Sequence, residues 1–153
     1  MKNQKGFSLI ELLVVVIIIA IIAAIAIPNL LASRRAANEA SAISSLRTIH
    51  SAEATYQATA GGNTNYGTLV QLNTAGLIDS VLGAATSQKS GYSFTNSAGS
   101  QVYCAEASPT TPGTTGIRYF AVNETGVVYS STAAATCAAG GVYTAGAGAA
   151  PIQ

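Results

Sequence analysis

Hydrophobic and polar positions divide the chain into two parts with opposite patterns. From Leu12 to Ile27 every residue is Leu, Val, Ile or Ala, so that segment has no polar face. A helix that is apolar all round must be surrounded by lipid or by other helices. Past Pro28 the pattern changes. Ala42, Leu46, Ile49, Ala52 and Tyr56 recur at helical spacing, with Ile43 beside them, which predicts an amphipathic helix with one packing face. Pro28 lacks an N–H and is expected to kink the helix without ending it. Gly61-Gly62-Asn63 reads as the stop. One helix over residues 7–58 follows, about 78 Å long at 1.5 Å per residue, with residues 7–32 long enough to span a membrane.

Residues 59–153 carry a different signal. Tyr66 to Leu72 predicts a short helix, and Leu77-Ile78-Asp79 follows Gly76. Strand-like runs occur at Gly91–Thr95, Gln101–Ala105, Arg118–Val122 and Gly126–Tyr129, with hairpin turns expected at Asn96–Gly99 and Asn123–Gly126 and a loop at Ser108–Gly116. The economical fold is α+β, with a small antiparallel sheet lying on the amphipathic half of the helix. Its core would draw on Phe94, Val102, Phe120, Val122, Val127 and several tyrosines. From about residue 131 the chain is mostly Ala, Gly and Thr. That tail is expected to be disordered or draped on the surface.

Composition sharpens the contrast. Charged residues make up 8% of the 153 and hydrophobic residues 49%, against about 25% charged in an average soluble domain. Mean hydropathy is +0.38. The amino terminus, Met1-Lys2-Asn3-Gln4-Lys5-Gly6 and then Phe7-Ser8-Leu9-Ile10-Glu11, sets a short basic segment before the apolar run. Such a segment stays on the cytoplasmic side. Three readings compete. An ordinary secretory signal would be cut after Ala24-Ile25-Ala26 and free a head beginning at Ile27. A plain anchor would keep the whole segment but has no use for a carboxylate at Glu11, which costs energy deep in lipid.

The third reading uses every oddity. The run Lys5-Gly6-Phe7-Ser8-Leu9-Ile10-Glu11-Leu12-Leu13-Val14-Val15-Val16, continuing through Ala23-Ala24-Ile25-Ala26-Ile27-Pro28, closely resembles the class III signal of type IV pilins and type II secretion pseudopilins. The resemblance covers roughly the first third of the chain. It implies a leader over residues 1–6, cleavage between Gly6 and Phe7 by a prepilin peptidase, and N-methylation of Phe7 by the same membrane enzyme. It implies retention of the helix as the core of a helical homo-oligomeric filament and contact with an assembly platform in the inner membrane. Cleavage would leave five of the seven basic side chains against six acidic ones. It would also create an α-amino group one helical turn from Glu11, about 6 Å along the axis. Glu11 then has a cationic partner in its own or a neighbouring terminus, and acts in assembly and docking. The alternative is a surface carboxylate at the helix N-terminus, favoured by the macrodipole. Members of the resembled family commonly carry a glycine midway along the apolar stretch, where this chain has Ala20. That departure argues against local melting there.

The resemblance also implies an αβ-roll head, and Tyr119–Val128 looks like a strand-turn-strand common in the family. Pilins often tie their C-terminal region with a disulfide, which here would join Cys104 and Cys137; two free thiols are the alternative. An oxidising compartment permits the bond, and a small head benefits from it.

Other chemistry is thin. His50 is the only histidine and is expected to face solvent or a neighbouring subunit. There is no nucleophile elbow, Walker loop or metal-ligand spacing, so neither a catalytic role, a metal nor a cofactor is expected. Assembly energy would come from a separate cytoplasmic ATPase. Asn123-Glu124-Thr125 matches a glycosylation sequon, but a turn needs the same residues. The chain has no acids after Glu124, whereas major pseudopilins commonly hold calcium in a C-terminal acidic loop. The expectation is therefore a pilus subunit, with a secretion pseudopilin as the rival. A DNA-uptake or adhesive minor pilin would need more than Lys89 and Arg118 on the head, so nucleic acid is not expected as a partner. The precursor would sit in the inner membrane and its product in a periplasmic or extracellular filament.

Overall fold

The computed structural model describes residues 6–152. The residues before Gly6, including Lys2 and Lys5 of the expected leader, lie outside them. The described chain is α+β and falls into two compact units that divide between Arg34 and Arg35. The order is α1 (Leu9–Ala58), α2 (Leu69–Thr74), β1 (Ser87–Lys89), β2 (Tyr92–Ala98), β3 (Tyr103–Pro109), β4 (Tyr119–Asn123), β5 (Val128–Ser131), β6 (Thr136–Cys137), β7 (Tyr143–Thr144) and β8 (Ala150–Pro151).

In the first unit α1 exposes its side chains on every side, and each large apolar residue from Phe7 to Leu31 is solvent-facing. Pro28 lies inside the helix, and the Asn29 side-chain amide donates to the Ile25 carbonyl at 3.1 Å. The helix runs on through Pro28 although the residue supplies no N–H to the Ala24 carbonyl.

In the second unit the helical periodicity works as expected. Ala42, Leu46, Ile49 and Ala52 are buried in one core with residues from the sheet. Leu46 and Ile49 are each fully covered, worth about 2–3 kcal/mol apiece. The helix ends where Gly62 (φ 63°) and Asn63 (φ 62°) take left-handed conformations, and the Gly61 N–H bonds back to the Tyr56 carbonyl at 2.8 Å.

The main sheet is antiparallel, in the order β1-β2-β3-β4-β5-β8; β6 and β7 pair separately. Register places Phe94 opposite Ala107 and Ala107 opposite Phe120, a large-small-large row that interlocks on the helix side. Strand parity then puts Tyr103, Ala105 and Ala107 on the core face and Cys104 on the other. Cys104 is nonetheless fully buried, because the tail covers that back face.

Of the two forms expected for it, the tail takes the draped one, tied to the back and edge of the sheet. Cys137 on β6 is disulfide-bonded to Cys104, with Cα atoms 5.4 Å apart. Tyr143 of β7 stacks on Tyr129 at 5.3 Å between ring centroids. The chain closes as edge strand β8, where Pro151 pairs with Tyr129 and Ile152 packs on the core. Few apolar side chains are needed, since a covalent tie and backbone ladders do the holding.

Other departures have local causes. Gln101 takes φ 64°, which breaks the expected strand at 101–105. β3 starts at Tyr103, Val102 is only half-buried, and the hairpin turn moves to Gly99–Val102. Gly126 takes φ 75° in the β4–β5 turn, so Val127 falls in the loop and is exposed while Val128 enters the core. α2 starts later than expected, at Leu69, because Thr68 and Gln71 form a capping box. β3 extends to Pro109 and shortens the expected loop.

Candidate functional site: the amino-terminal segment

Gly6, Phe7 and Ser8 have no regular secondary structure and are exposed. Among the described residues nothing lies within 4 Å of a Cβ built on Gly6, and Phe7 is 82% exposed. The Gly6–Phe7 peptide bond thus sits in open, non-helical chain directly before α1. The reason is local. Ser8-Leu9-Ile10-Glu11 has the serine-to-glutamate spacing of a capping box, and the Glu11 carboxylate accepts the Ser8 backbone N–H at 2.9 Å. Ser8 therefore stands outside the helix and Leu9 opens it.

This geometry places Glu11 in the first turn of α1, exposed, where the helix dipole favours negative charge. Phe7 and Glu11 line one shallow groove with Ile10, Val14 and Val15. The two residues expected to act together are thus neighbours. Among the described residues, however, the carboxylate is engaged by a backbone amide and not by a cation. Pro28 belongs to the same helix, 17 positions further along.

α1 contains a window with mean hydropathy 3.3 and no buried residues, long and apolar enough to cross a membrane.

Residues 1–27 match the prokaryotic N-terminal methylation motif. A stretch of 39 residues is 54% identical to the type IV wide pilus major component PilA4 of Thermus thermophilus, covering 26% of this chain and 30% of that protein. The amino terminus is a type IV pilin-like class III signal. The match spans less than a third of the curated relative's length, and no solved structure matches the chain. The likeness is therefore carried by the amino-terminal segment and by the α+β arrangement of long apolar helix and small antiparallel sheet.

The second unit holds side chains whose roles the sequence did not reveal. Glu39 reaches the chain before β4. Its carboxylate accepts the Ile117 N–H at 3.0 Å and the Arg118 N–H at 3.3 Å, and pairs with the Arg118 guanidinium at 2.8 Å. Burial pushes its pKa up, but the Ile117 amide and the Arg118 contacts outweigh burial and hold it below the ordinary range. His50 meets the Tyr103 hydroxyl at 2.6 Å through Nδ1, so it is a half-buried partner of the sheet rather than a solvent-facing residue. Glu53, which sequence reasoning passed over, is fully buried. Lys89 pairs with Asp79 at 3.0 Å. The sequon residues are engaged in their own turn, with the Thr125 hydroxyl donating to Asn123 Oδ1 at 2.6 Å. Among the described residues no three His, Cys, Asp or Glu side chains are grouped to hold a metal.

Proposed function

We propose that the chain is a structural subunit of a type IV pilus-like filament. It is inserted in the inner membrane by α1, cut between Gly6 and Phe7, methylated on Phe7 by the prepilin peptidase, and assembled by helix packing with its own copies. The observation that carries this reading is a class III signal followed at once by a half-helix whose apolar side chains are exposed on every side. Such a surface moves from lipid into a bundle of like helices with little change in apolar exposure. Filament growth from the membrane would rest on that exchange, driven by a separate ATPase on the assembly platform.

Glu11 is the docking residue in this account. Among the described residues only Oε2 is engaged, by the Ser8 N–H, and that amide survives cleavage. Oε1 remains for the new amine of Phe7 or of a neighbouring subunit, and a pairing across subunits forms only on assembly. Sequencing the mature amino terminus tests the processing step. A methylated Phe7 supports it; a terminus at Ile27 would indicate a freely exported head, and an intact Met1 a plain anchor. Replacing Glu11 by Gln should leave processing and insertion intact and sharply reduce filament yield, whereas normal yield would refute docking. Long surface fibres on expressing cells, seen by electron microscopy, distinguish a pilus from the short periplasmic filament of a pseudopilin.

A further inference from the structure

Glu53 has no exposed surface. It lies near the end of α1, and its carboxylate joins two other segments. Oε2 accepts the Gly67 N–H at 2.8 Å, and Oε1 accepts the Asn96 side-chain amide at 2.5 Å. The same Asn96 amide donates to the Gly67 carbonyl at 2.9 Å. The end of α1, the α1–α2 connection and β2 therefore meet at one carboxyl group. Asn96 commits its NH₂ to both contacts and leaves its own Oδ1 buried without a partner, so this hub already contains an unmet polar atom.

The titratable groups around Glu53 come from every element packed there. α1 supplies His50 and Tyr56, the connection Tyr66, β3 Tyr103 and the β4–β5 turn Glu124. None is a lysine or arginine, and His50 already spends Nδ1 on the Tyr103 hydroxyl. A buried charge without a cation is costly even when hydrogen-bonded.

We propose that Glu53 is a proton-controlled latch: protonated, it holds the α1–α2 connection closed on the head, and ionised, it lets residues 59–68 loosen and take up water. Desolvation pushes its pKa up to about 7, against the pull of the Gly67 amide and Asn96, so the latch works near neutral pH. Gly62 and Asn63, both in left-handed conformations, are the joint about which the connection gives. The device belongs to the head alone and holds whether or not the chain polymerises.

The test is a pH titration of the full chain in detergent micelles, pH 4 to 9. The Glu53 side-chain carboxyl ¹³C signal is followed by NMR, assigned through the Glu53→Gln variant. Hydrogen exchange of residues 59–68 is followed alongside, corrected for intrinsic base catalysis. The carboxyl midpoint should fall near neutrality. Corrected exchange in the connection should rise by up to about two orders of magnitude from pH 5 to pH 8, the linkage expected when opening restores an ordinary carboxyl. Glu53→Gln should abolish that rise, while His50→Gln should retain it. A midpoint below pH 5, pH-independent exchange in the wild type, or a rise that persists in Glu53→Gln and disappears in His50→Gln would each overturn the proposal.

Discussion

Reducing the bond between Cys104 and Cys137 should lower the stability of the head by about 4 kcal/mol. The two residues are 33 positions apart, and closing a loop of that length is worth about 3.7 kcal/mol in the chain-entropy account. The structure says where the loss should appear. Cys104 is buried on the back of β3, and Cys137 opens the segment that covers it. Once the bond is broken, the tail is held by few ties: the Ser97 hydroxyl on the Ala138 carbonyl at 2.7 Å, the Thr132 hydroxyl on the Ala147 carbonyl at 3.1 Å, the Tyr129–Tyr143 stack and the short β5–β8 ladder. At about 4 °C per kcal/mol for a unit of this size, the melting temperature should drop by about 15 °C. The full chain in detergent suits the measurement. All seven tyrosines lie between Tyr56 and Tyr143 and there is no tryptophan, so near-ultraviolet circular dichroism reads the second unit alone. Hydrogen exchange after reduction should rise first in β6, β7 and β8. A melt displaced by less than about 3 °C, or exchange that rises uniformly across the sheet, would refute the claim that the bond pins the tail.

Three further outcomes follow from named contacts. Glu39→Ala should cost about 2–3 kcal/mol in urea denaturation, since it strands the Ile117 and Arg118 amides and the guanidinium; Arg118→Ala should cost less, because the Ile117 contact survives. Stability should peak in mildly acidic solution. Glu39, with its pKa lowered, contributes above the ordinary carboxyl value and loses that contribution as pH falls through its folded value. Glu53, raised from 4.5 to about 7, destabilises progressively across that interval and costs about 3 kcal/mol above it. Denaturation midpoints that climb from pH 5.5 to pH 8 would contradict the Glu53 assignment. Gly126→Ala should cost about 1–2 kcal/mol, because φ is 75° and the new Cβ would lie 2.7 Å from His50 Nε2; an unchanged melting temperature would show that the turn adapts freely.

The sequence carries the helices and most strands because those depend on local pattern. The 3.6-residue spacing of Ala42, Leu46, Ile49 and Ala52, the stop at Gly61-Gly62-Asn63 and the β-branched and aromatic runs each act within a few residues. The amino-terminal motif is local too, which is why its residues were legible. What was hidden depends on chain segments far apart. Glu39 meets residues 117 and 118, Glu53 meets Gly67 and Asn96, and no spacing rule connects them. Val127 and Val128 exchanged roles because one residue in a left-handed turn shifts the parity of everything after it. For the tail, composition left two outcomes open. Its composition offers nothing to a hydrophobic core, yet a disulfide and edge-strand pairing order it without one.

The acids of this chain share a use that a count of charges conceals. Of six acidic residues, four accept a backbone N–H: Glu11 from Ser8, Glu39 from Ile117, Glu53 from Gly67 and Asp79 from Leu82. Each of those amides lies at a helix start or in irregular chain, where no ladder would otherwise satisfy it. Acidic side chains are thus placed chiefly to close backbone ends. Glu11 follows the same rule in the place where it has most consequence. By taking the Ser8 amide it caps its own helix, and among the described residues its other oxygen accepts no hydrogen bond. In the proposed filament that half-engaged state would suit a residue that first enters lipid and is then recognised by another subunit: a carboxylate with no local partner would oppose insertion, and one with both oxygens engaged would have nothing to offer a neighbour.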